Sequence, residues 1–497
     1  MPVLSSMVWF SDSEVIEHRI RYEHYKVKPK RGIPTDPEPE PIPLWVRRGA
    51  CIGLPVELGL ATCDRLGLTV INQLTKGHKI PVRKMPDPLH PAASPGQGQF
   101  FNDLMGAAKD HFSLLVEAPT GSGKTVAALY MIGQLKQSAV IVVPSRSLAV
   151  QWIKEARTHL GLLPEEIGLV GDGEEDWEGK HLVVVILHNL FQRVFPMDFY
   201  AMFGVAVWDE CHNLGAREFS KVMRCFPAEY KVGLSATPDR RDNCEEVFMA
   251  YFGPVRLRSI QAALPVKVTV IPFPLAPIPG GLAHSTNPTR ALQFISRHEK
   301  RNQLLTGLIT SLFTGGRRIL VLCKHIDHAE GLRQAVVDRG VPEEACGLFI
   351  GQRTAISKDK KRLAALLLLF NHSPTLAVTY GWFMLLQRVK VKGEELEAAK
   401  AKTIIFATYA MIKEGVDIPA LDAGVEALPV ADARQAIGRV RRPLPGKPMP
   451  LWFSIADKAP SGRGMDFLYG FTRARLKGIE DTENVTIEHL SATPKYD

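Results

Sequence analysis

The stretch Leu114-Leu-Val-Glu-Ala-Pro-Thr-Gly-Ser-Gly-Lys-Thr125 decides how the chain is read. Leu114–Glu117 has the length and apolar character of a buried strand, and a helical pattern opens after Gly123. Between them, Ala118-Pro-Thr-Gly-Ser-Gly-Lys-Thr125 fits a phosphate-binding loop in its required strand–loop–helix context. Glycines let the backbone of Thr120, Gly121, Ser122 and Gly123 wrap phosphates, with N–H groups converging at a helix N-terminus that carries partial positive charge. Lys124 reaches the β- and γ-phosphates, and Thr125 offers a hydroxyl to Mg²⁺. The expected cofactors are therefore ATP and Mg²⁺.

Further along, Val205-Ala-Val-Trp-Asp-Glu-Cys-His212 is an apolar strand that ends in two carboxylates. Ligands of an open α/β sheet collect at the carboxyl ends of its strands. That puts Asp209 where it holds Mg²⁺ and Glu210 where it orients and deprotonates the attacking water. Cys211 and His212 read as packing or coupling groups.

Outward from these two segments, strand-length apolar runs alternate with helical stretches. The runs are Leu114–Glu117, Ala139–Val143, His181–Leu187, Val205–Trp208 and Val232–Leu234. After a Pro-rich stretch at 265–279 the pattern restarts with Ile319–Leu322, Gly347–Ile350, Thr403–Ala407 and Leu451–Ile455. Buried strands alternating with helices predict doubly wound parallel sheets. The chain thus divides into two α/β lobes, 97–257 and 291–458, with a linker at 258–290. Ahead of them lie a basic and aromatic segment (1–33), a linker Pro34–Pro43 with alternating prolines, and a small accessory domain (44–96). A tail follows at 459–497, with a helix expected around Met465–Leu476 and fraying beyond it.

The chain has 497 residues, 45% hydrophobic and 23% charged, enough for several ordinary cores. Its net charge of +9 suits a polyanionic partner. Seven scattered cysteines without a C-x-x-C pair argue against zinc and for reduced thiols, hence a cytoplasmic setting. The longest apolar run, Leu363–Phe370, is too short to span a bilayer, so no membrane partner is expected.

Several segments together carry a family resemblance. Asp209-Glu-Cys-His212 is a DExH box, Gly233-Leu-Ser-Ala-Thr-Pro238 resembles helicase motif III, and Gln435-Ala-Ile-Gly-Arg-Val-Arg-Arg442 fits motif VI. Ala407-Thr-Tyr-Ala-Met-Ile-Lys-Glu-Gly-Val-Asp-Ile-Pro419 resembles motif V, and Val142–Leu148 with Gln151-Trp152 resembles motif Ia. All stand in family order over about 97–458. The chain thus resembles the superfamily 2 helicases, which implies two RecA-like lobes with ATP between them. Phosphoryl transfer needs positive charge at the γ-phosphate. The resemblance gives Arg439 and Arg442 that role; three residues apart, they share one face if helical. It also puts Gln435 at the γ-phosphate or water, and Gly415 and Asp417 at the nucleotide, Asp417 on the ribose. An adenine-reading glutamine is Gln97 or, failing that, Gln99. Ser145, Arg146 and Thr408 would contact nucleic-acid phosphates, which carry no sequence information. Ser235 and Thr237 would couple the two sites.

Within the superfamily, Gly161–Gly168, Asp176–Lys180 and Phe203–His212 resemble the phage UvsW-type recombination helicases and the xeroderma-pigmentosum-B-type repair helicases. Those relatives imply duplex, forked or branched DNA as partner, with recombination or replication proteins in attendance. RNA is the rival substrate, and a motor subunit of a larger DNA-processing complex the rival role. The sequence departs from the repair type at Arg240-Arg-Asp242, where Arg241 stands in place of Glu. Leu187-His-Asn-Leu190 lacks the usual Thr. An insertion near 354–393 carries Lys358, Lys360, Lys361, Arg362, Trp382, Arg388, Lys390 and Lys392. It reads either as a DNA-gripping thumb or as a lobe helix with a solvated charged end.

Overall fold

In the computed structural model, every residue of Ala139-Val-Ile-Val-Val143 is buried. Successive strand side chains point to opposite faces, so such a run needs cover on both. It has that cover: Ala139, Ile141 and Val143 enter one core cluster, and Val140 and Val142 enter another. Ile319–Cys323 behaves alike, its odd positions in one cluster and Leu320 and Leu322 in the next. The structure describes residues 1–30, 38–87, 97–118, 122–236, 238, 242–259, 264–275, 288–356, 386–391, 393–413, 418–430, 433–444, 446–458, 466–480, 482 and 484–494.

The chain forms two units, Met1–Ala262 and Ala263–Asp497. Among the described residues, the main sheet of the first unit has eight strands. In spatial order they are Glu174–Asp176, Ile167–Gly171, Leu182–Ile186, Ala139–Val143, Val205–Trp208, Tyr230–Ser235, Ser113–Glu117 and Val255–Arg258. All pair in parallel except the edge strand Glu174–Asp176, which returns antiparallel. The second unit's main sheet has seven strands, all parallel, around Ile319–Cys323 and Ile404–Thr408. The expected α/β class with two parallel sheets is what the structure shows.

Two elements of the second unit differ from the linear reading. Val266–Pro274, inside the expected 258–290 linker, is a strand of the second sheet, paired in parallel with Leu451–Lys458 and Val485–His489. The prolines at 272 and 274 sit at its far end, where they interrupt little pairing. The tail does not fray after its helix Asp466–Glu480: Val485–His489 becomes the edge strand. Arg475 of that helix is wholly buried, its Nη1 3.0 Å from Glu426 Oε2, and Glu426 also accepts from Trp452 Nε1 at 2.7 Å. The apolar cluster around Trp452 includes Ile437, Val440 and Ile479. The tail is thus a structural part of the second lobe.

The segments 1–33 and 44–96, read separately, share one five-stranded sheet, in which Val8–Ser11 pairs with Cys51–Leu54 and Val3–Leu4 with Ile71–Asn72. Even the Pro-rich stretch contributes, Ile42-Pro43 pairing with Lys26-Val27. Such pairing joins residues far apart in sequence, so local composition cannot show it. Of the insertion, Gln352–Ile356 and Leu386–Lys390 form an antiparallel ribbon, not a helix; 357–385 lie outside the described residues. No described helix is long and apolar enough to cross a membrane.

The N-terminal module is fastened to the first lobe by polar contacts. Arg256 pairs with Glu57 at 2.7 Å, and Thr75 Oγ1 donates to the Phe203 carbonyl at 2.8 Å. Lys231, buried within strand Tyr230–Ser235, donates to the Ser5 carbonyl at 3.3 Å. Burial pushes its ammonium pKa down to about 7, against about 10.4 in an unfolded chain. Between these values the unfolded state binds more protons, so stability rises with pH. Below pH 7 both states are charged and the burial penalty is complete. The measured difference in unfolding free energy between Lys231→Met and the parent should therefore shrink from pH 7 towards pH 10. A difference constant over that range would refute the assignment.

Candidate functional site

The phosphate-loop lysine and the paired carboxylates arrive from two strands of the first lobe, Ser113–Glu117 and Val205–Trp208. Gly123 adopts φ 81° and opens the helix Lys124–Leu135 without a side-chain cap. A left-handed backbone there suits glycine, and it leaves the opening N–H groups free to take an anion. Lys124 Nζ forms a short contact with Glu210 Oε1 and lies 3.3 Å from Asp209 Oδ1. Burial opposes its charge, but Asp209 and Glu210 overcome that and hold its pKa above the usual lysine range.

Asp209 follows the strand Val205–Trp208, and its backbone N–H donates to the Val142 carbonyl at 2.9 Å. Its Oδ2 accepts from the buried Trp152 Nε1 at 2.9 Å, and its Oδ1 from the Glu210 N–H at 3.0 Å. Glu210 sits at φ 50°, ψ 47°, a left-handed conformation uncommon for a residue with a Cβ and found most at functional sites. Burial raises its pKa, but Lys124 and then His212 outweigh this, so it stays ionised well below the usual carboxylate range. His212 Nδ1 is 3.3 Å from Glu210 Oε2 and 3.2 Å from Ser235 Oγ. Ser235 ends the neighbouring strand Tyr230–Ser235, so this ring links the carboxylate to the motif III strand. The Cys211 thiol is fully buried and pushed up by that burial, which removes it as a nucleophile.

Lys124, Asp209, Glu210, Ser235 and His212 thus stand together in one lobe, as a group. Their chemistry fits a metal-bound triphosphate. Two carboxylates against one ammonium leave net negative charge for a divalent cation, and phosphates give Lys124 an alternative partner. Ser122 Oγ is buried without a hydrogen-bond partner among the described residues, another group awaiting one. Thr125 lies in the first turn of the helix that Gly123 opens. Thr120, Gly121, Thr237, Arg241, Gly415 and Asp417 lie outside the described residues, as do the side chains of Gln97 and Gln435. Gln99 Nε2 donates to Asp103 Oδ1 at 2.6 Å along its own helix.

Ser145 caps the helix Arg146–Leu160, its Oγ accepting from the Leu148 N–H at 3.5 Å. Arg146 pairs with Glu174 at 2.6 Å. In the second unit, Thr408 ends the strand Ile404–Thr408 and is buried. Arg439 lies in the helix Arg434–Val440 and donates to the Ile412 carbonyl at 3.2 Å. The shared helix face expected for Arg439 and Arg442 is not formed, because the helix stops at Val440. Pro443 disfavours helical backbone at the residue before it, Arg442. Arg442 is nevertheless buried, and burial pushes its pKa down to about 10.

Trp152 is the residue that sequence reasoning passed over. It falls within the motif Ia resemblance, and its indole N–H donates to Asp209 Oδ2. The signal was faint: a Trp six residues into a helix is ordinarily core.

Residues 90–240 match the family described as Type III restriction enzyme, res subunit. An Acanthamoeba polyphaga mimivirus protein named as an ATP-dependent RNA helicase, L396, is 22% identical over 84% of this chain and 73% of its own length. The DNA 3'-5' translocase XPB2 of Sulfurisphaera tokodaii is 31% identical over 29% of this chain and 31% of its own. The probable helicase D10 of Escherichia phage T5 is 24% identical over 46% and 49%. The chain therefore spans under half the length of the last two. Among solved structures, Mss116p bound to ssRNA and AMP-PNP covers 81% of this chain and 75% of its own, at 13% identity and a TM-score of 0.51. That likeness concerns the fold.

Trp152→Phe keeps an aromatic ring but leaves Asp209 Oδ2 without its indole donor. We expect maximal ATP hydrolysis to fall on the order of tenfold, as for other partners that orient metal ligands, with a smaller loss of nucleotide affinity. Steady-state ATPase rates with nucleotide titration test this; unchanged turnover would show that Trp152 only packs.

Proposed function

We propose that this chain, a superfamily 2 helicase and hence an ATP-hydrolysing enzyme, couples hydrolysis to unwinding or remodelling duplex, forked or branched DNA. The observation that carries the catalytic half is the buried cluster of Lys124, Asp209 and Glu210 at the carboxyl ends of parallel strands. In it, Lys124 and the N–H groups around Gly123 take the phosphates. Thr125 and Asp209 would hold Mg²⁺, which would supply positive charge to the phosphates. Glu210, kept ionised, accepts the proton of the attacking water, and its fixed backbone aims it there. His212 and Ser235 relay the state of Glu210 to the strand end. Thr120, Gly121, Ser122, Gly415, Asp417 and Gln97 complete the nucleotide contacts. Gln435, Arg439 and Arg442 serve the γ-phosphate, the arginines by neutralising charge in the transition state.

The nucleic-acid half rests on Ser145, Arg146 and Thr408 as phosphate contacts, with Thr237 as a coupling residue. DNA is favoured by the resemblance of motif order and of the 161–212 region to the recombination and repair branch, and XPB2 is named a DNA translocase. RNA is the second reading, because the mimivirus relative that matches most of this chain is named an RNA helicase. The described cysteines are free thiols, which suits a reducing, cytoplasmic setting.

Glu210→Gln should lose nearly all steady-state hydrolysis while still binding ATP, and Lys124→Ala should lose both. Nucleotide-binding fluorescence alongside phosphate release distinguishes them; sustained turnover in Glu210→Gln would remove it as the base.

ATPase rates measured with duplex DNA, single strands, forks, four-way junctions and RNA decide the substrate. Forked or duplex DNA should stimulate most. Stimulation by single-stranded RNA alone would overturn the DNA assignment.

A further inference from the structure

After the strand Leu182–Ile186, the short helix Leu187–Gln192 and its connection to the helix Met197–Ala201 expose apolar side chains on a rigid base. Val194 is 95% exposed and Met197 77%, with Phe191 beside them. Between these two, Phe195 is buried, 4.5 Å centroid to centroid from Phe199, and its N–H donates to Tyr200 Oη at 3.1 Å. The exposed pair is thus held outward by an anchored aromatic. Isolated exposed apolar residues are ordinary, but a cluster fixed in place invites a partner.

Arg193 lies in the middle of this cluster, and its counter-ion identifies the class of partner. Arg193 Nη1 sits 3.3 Å from Glu175 Oε2, while Arg146 Nη2 sits 2.6 Å from Glu174 Oε1. The two carboxylates are consecutive on one edge strand, so they point to opposite faces of the sheet. They are presented by a tight hairpin whose turn, Asp172-Gly173, has positive φ at both positions, 53° and 89°. One rigid acidic edge therefore holds two arginines that follow neighbouring strands at the same end of the sheet. All four side chains are about half exposed, so these ion pairs are weak and exchangeable. Arg146 Nη1 is buried without a hydrogen-bond partner among the described residues, so Glu174 satisfies this guanidinium only in part.

We propose that Phe191–Met197 is a second nucleic-acid contact of the first lobe. Arg193 exchanges Glu175 for a backbone phosphate, as Arg146 exchanges Glu174, and Val194 and Met197 cover the face of an unpaired or terminal base. Glu174 and Glu175 hold the place of phosphate when nucleic acid is absent. This rests on the reading of Arg146 as a phosphate contact.

Fluorescence anisotropy with the full chain tests it, using a labelled single-stranded DNA, a forked DNA and a single-stranded RNA over a range of salt. Arg193→Ala should flatten the slope of log affinity against log salt by about one. The double variant V194S/M197S should weaken binding by about fivefold with the slope unchanged, as loss of an apolar base contact does. The double variant E174Q/E175Q should tighten binding. Thermal unfolding midpoints close to the parent's serve as the fold control, since the substituted side chains are exposed. If the parent binds and both Arg193→Ala and V194S/M197S titrate like it, this inference fails while the helicase reading stands. If V194S/M197S instead abolishes self-association and leaves nucleic-acid affinity intact, the tip is a contact between copies of this chain and the inference fails. If the parent binds none of the three probes, the nucleic-acid reading itself falls, and this inference with it.

Discussion

A lysine ammonium buried against two carboxylates is the contact on which the first lobe's chemistry depends. Taking such charges out of water costs several kcal/mol per ion, and the lobe offsets this only by arranging three strand ends around one point. Lys124 comes from the loop after Ser113–Glu117, and Asp209 and Glu210 from the end of Val205–Trp208. Ser235 joins from Tyr230–Ser235, which lies between those two strands in the sheet. The surplus negative charge and the buried Ser122 hydroxyl suit the cluster to a cation and phosphates. His212 stands between Glu210 and Ser235, 3.3 Å from the carboxylate and 3.2 Å from the hydroxyl, and so links the cluster to the end of the neighbouring strand.

That arrangement survives because everything around it is stiff. Both faces of each parallel sheet are covered, so strand ends cannot drift without opening a core. Trp152 reaches Asp209 from the helix on one face, and the aromatic cluster of Trp208, Phe226 and Phe252 packs the other. In the second unit, Arg301 grips Asp457 through two hydrogen bonds of 2.7 and 3.0 Å, and Arg475 grips Glu426. Both are buried pairs whose loss would strand a charge in the core. The Arg475 pair holds the C-terminal helix on the sheet face of the Trp452 cluster, which also contains Ile437 and Val440 of the Arg439 helix.

The flanks are better understood as parts of the lobes than as appendages. The N-terminal module meets the first lobe through Arg256–Glu57, Thr75 and Lys231, and the last of these leaves an amine poorly solvated inside the lobe. The antiparallel edge hairpin adds a different kind of device. Its carboxylates, Glu174 and Glu175, pair with Arg146 and Arg193, so the arginines at this end of the sheet are compensated within the lobe.

The sequence by itself determined the class of fold, the phosphate loop, the carboxylate pair and their membership of one lobe. These signals are local: a strand buried on both faces is apolar at every position, and a phosphate loop needs its glycines and lysine in a row. The strand in Val266–Pro274 and the edge strand Val485–His489 were not legible, because prolines and polar residues hide pairing that is made with distant partners. Nor was the single sheet shared by 1–33 and 44–96, nor the break that separates Arg442 from the helix of Arg439. The indole of Trp152 on Asp209, the left-handed backbone of Glu210 and the paired grip of Glu174 and Glu175 belong to the tertiary structure alone. Each joins groups brought together only when strands far apart in the chain lie side by side, a distance no linear pattern encodes.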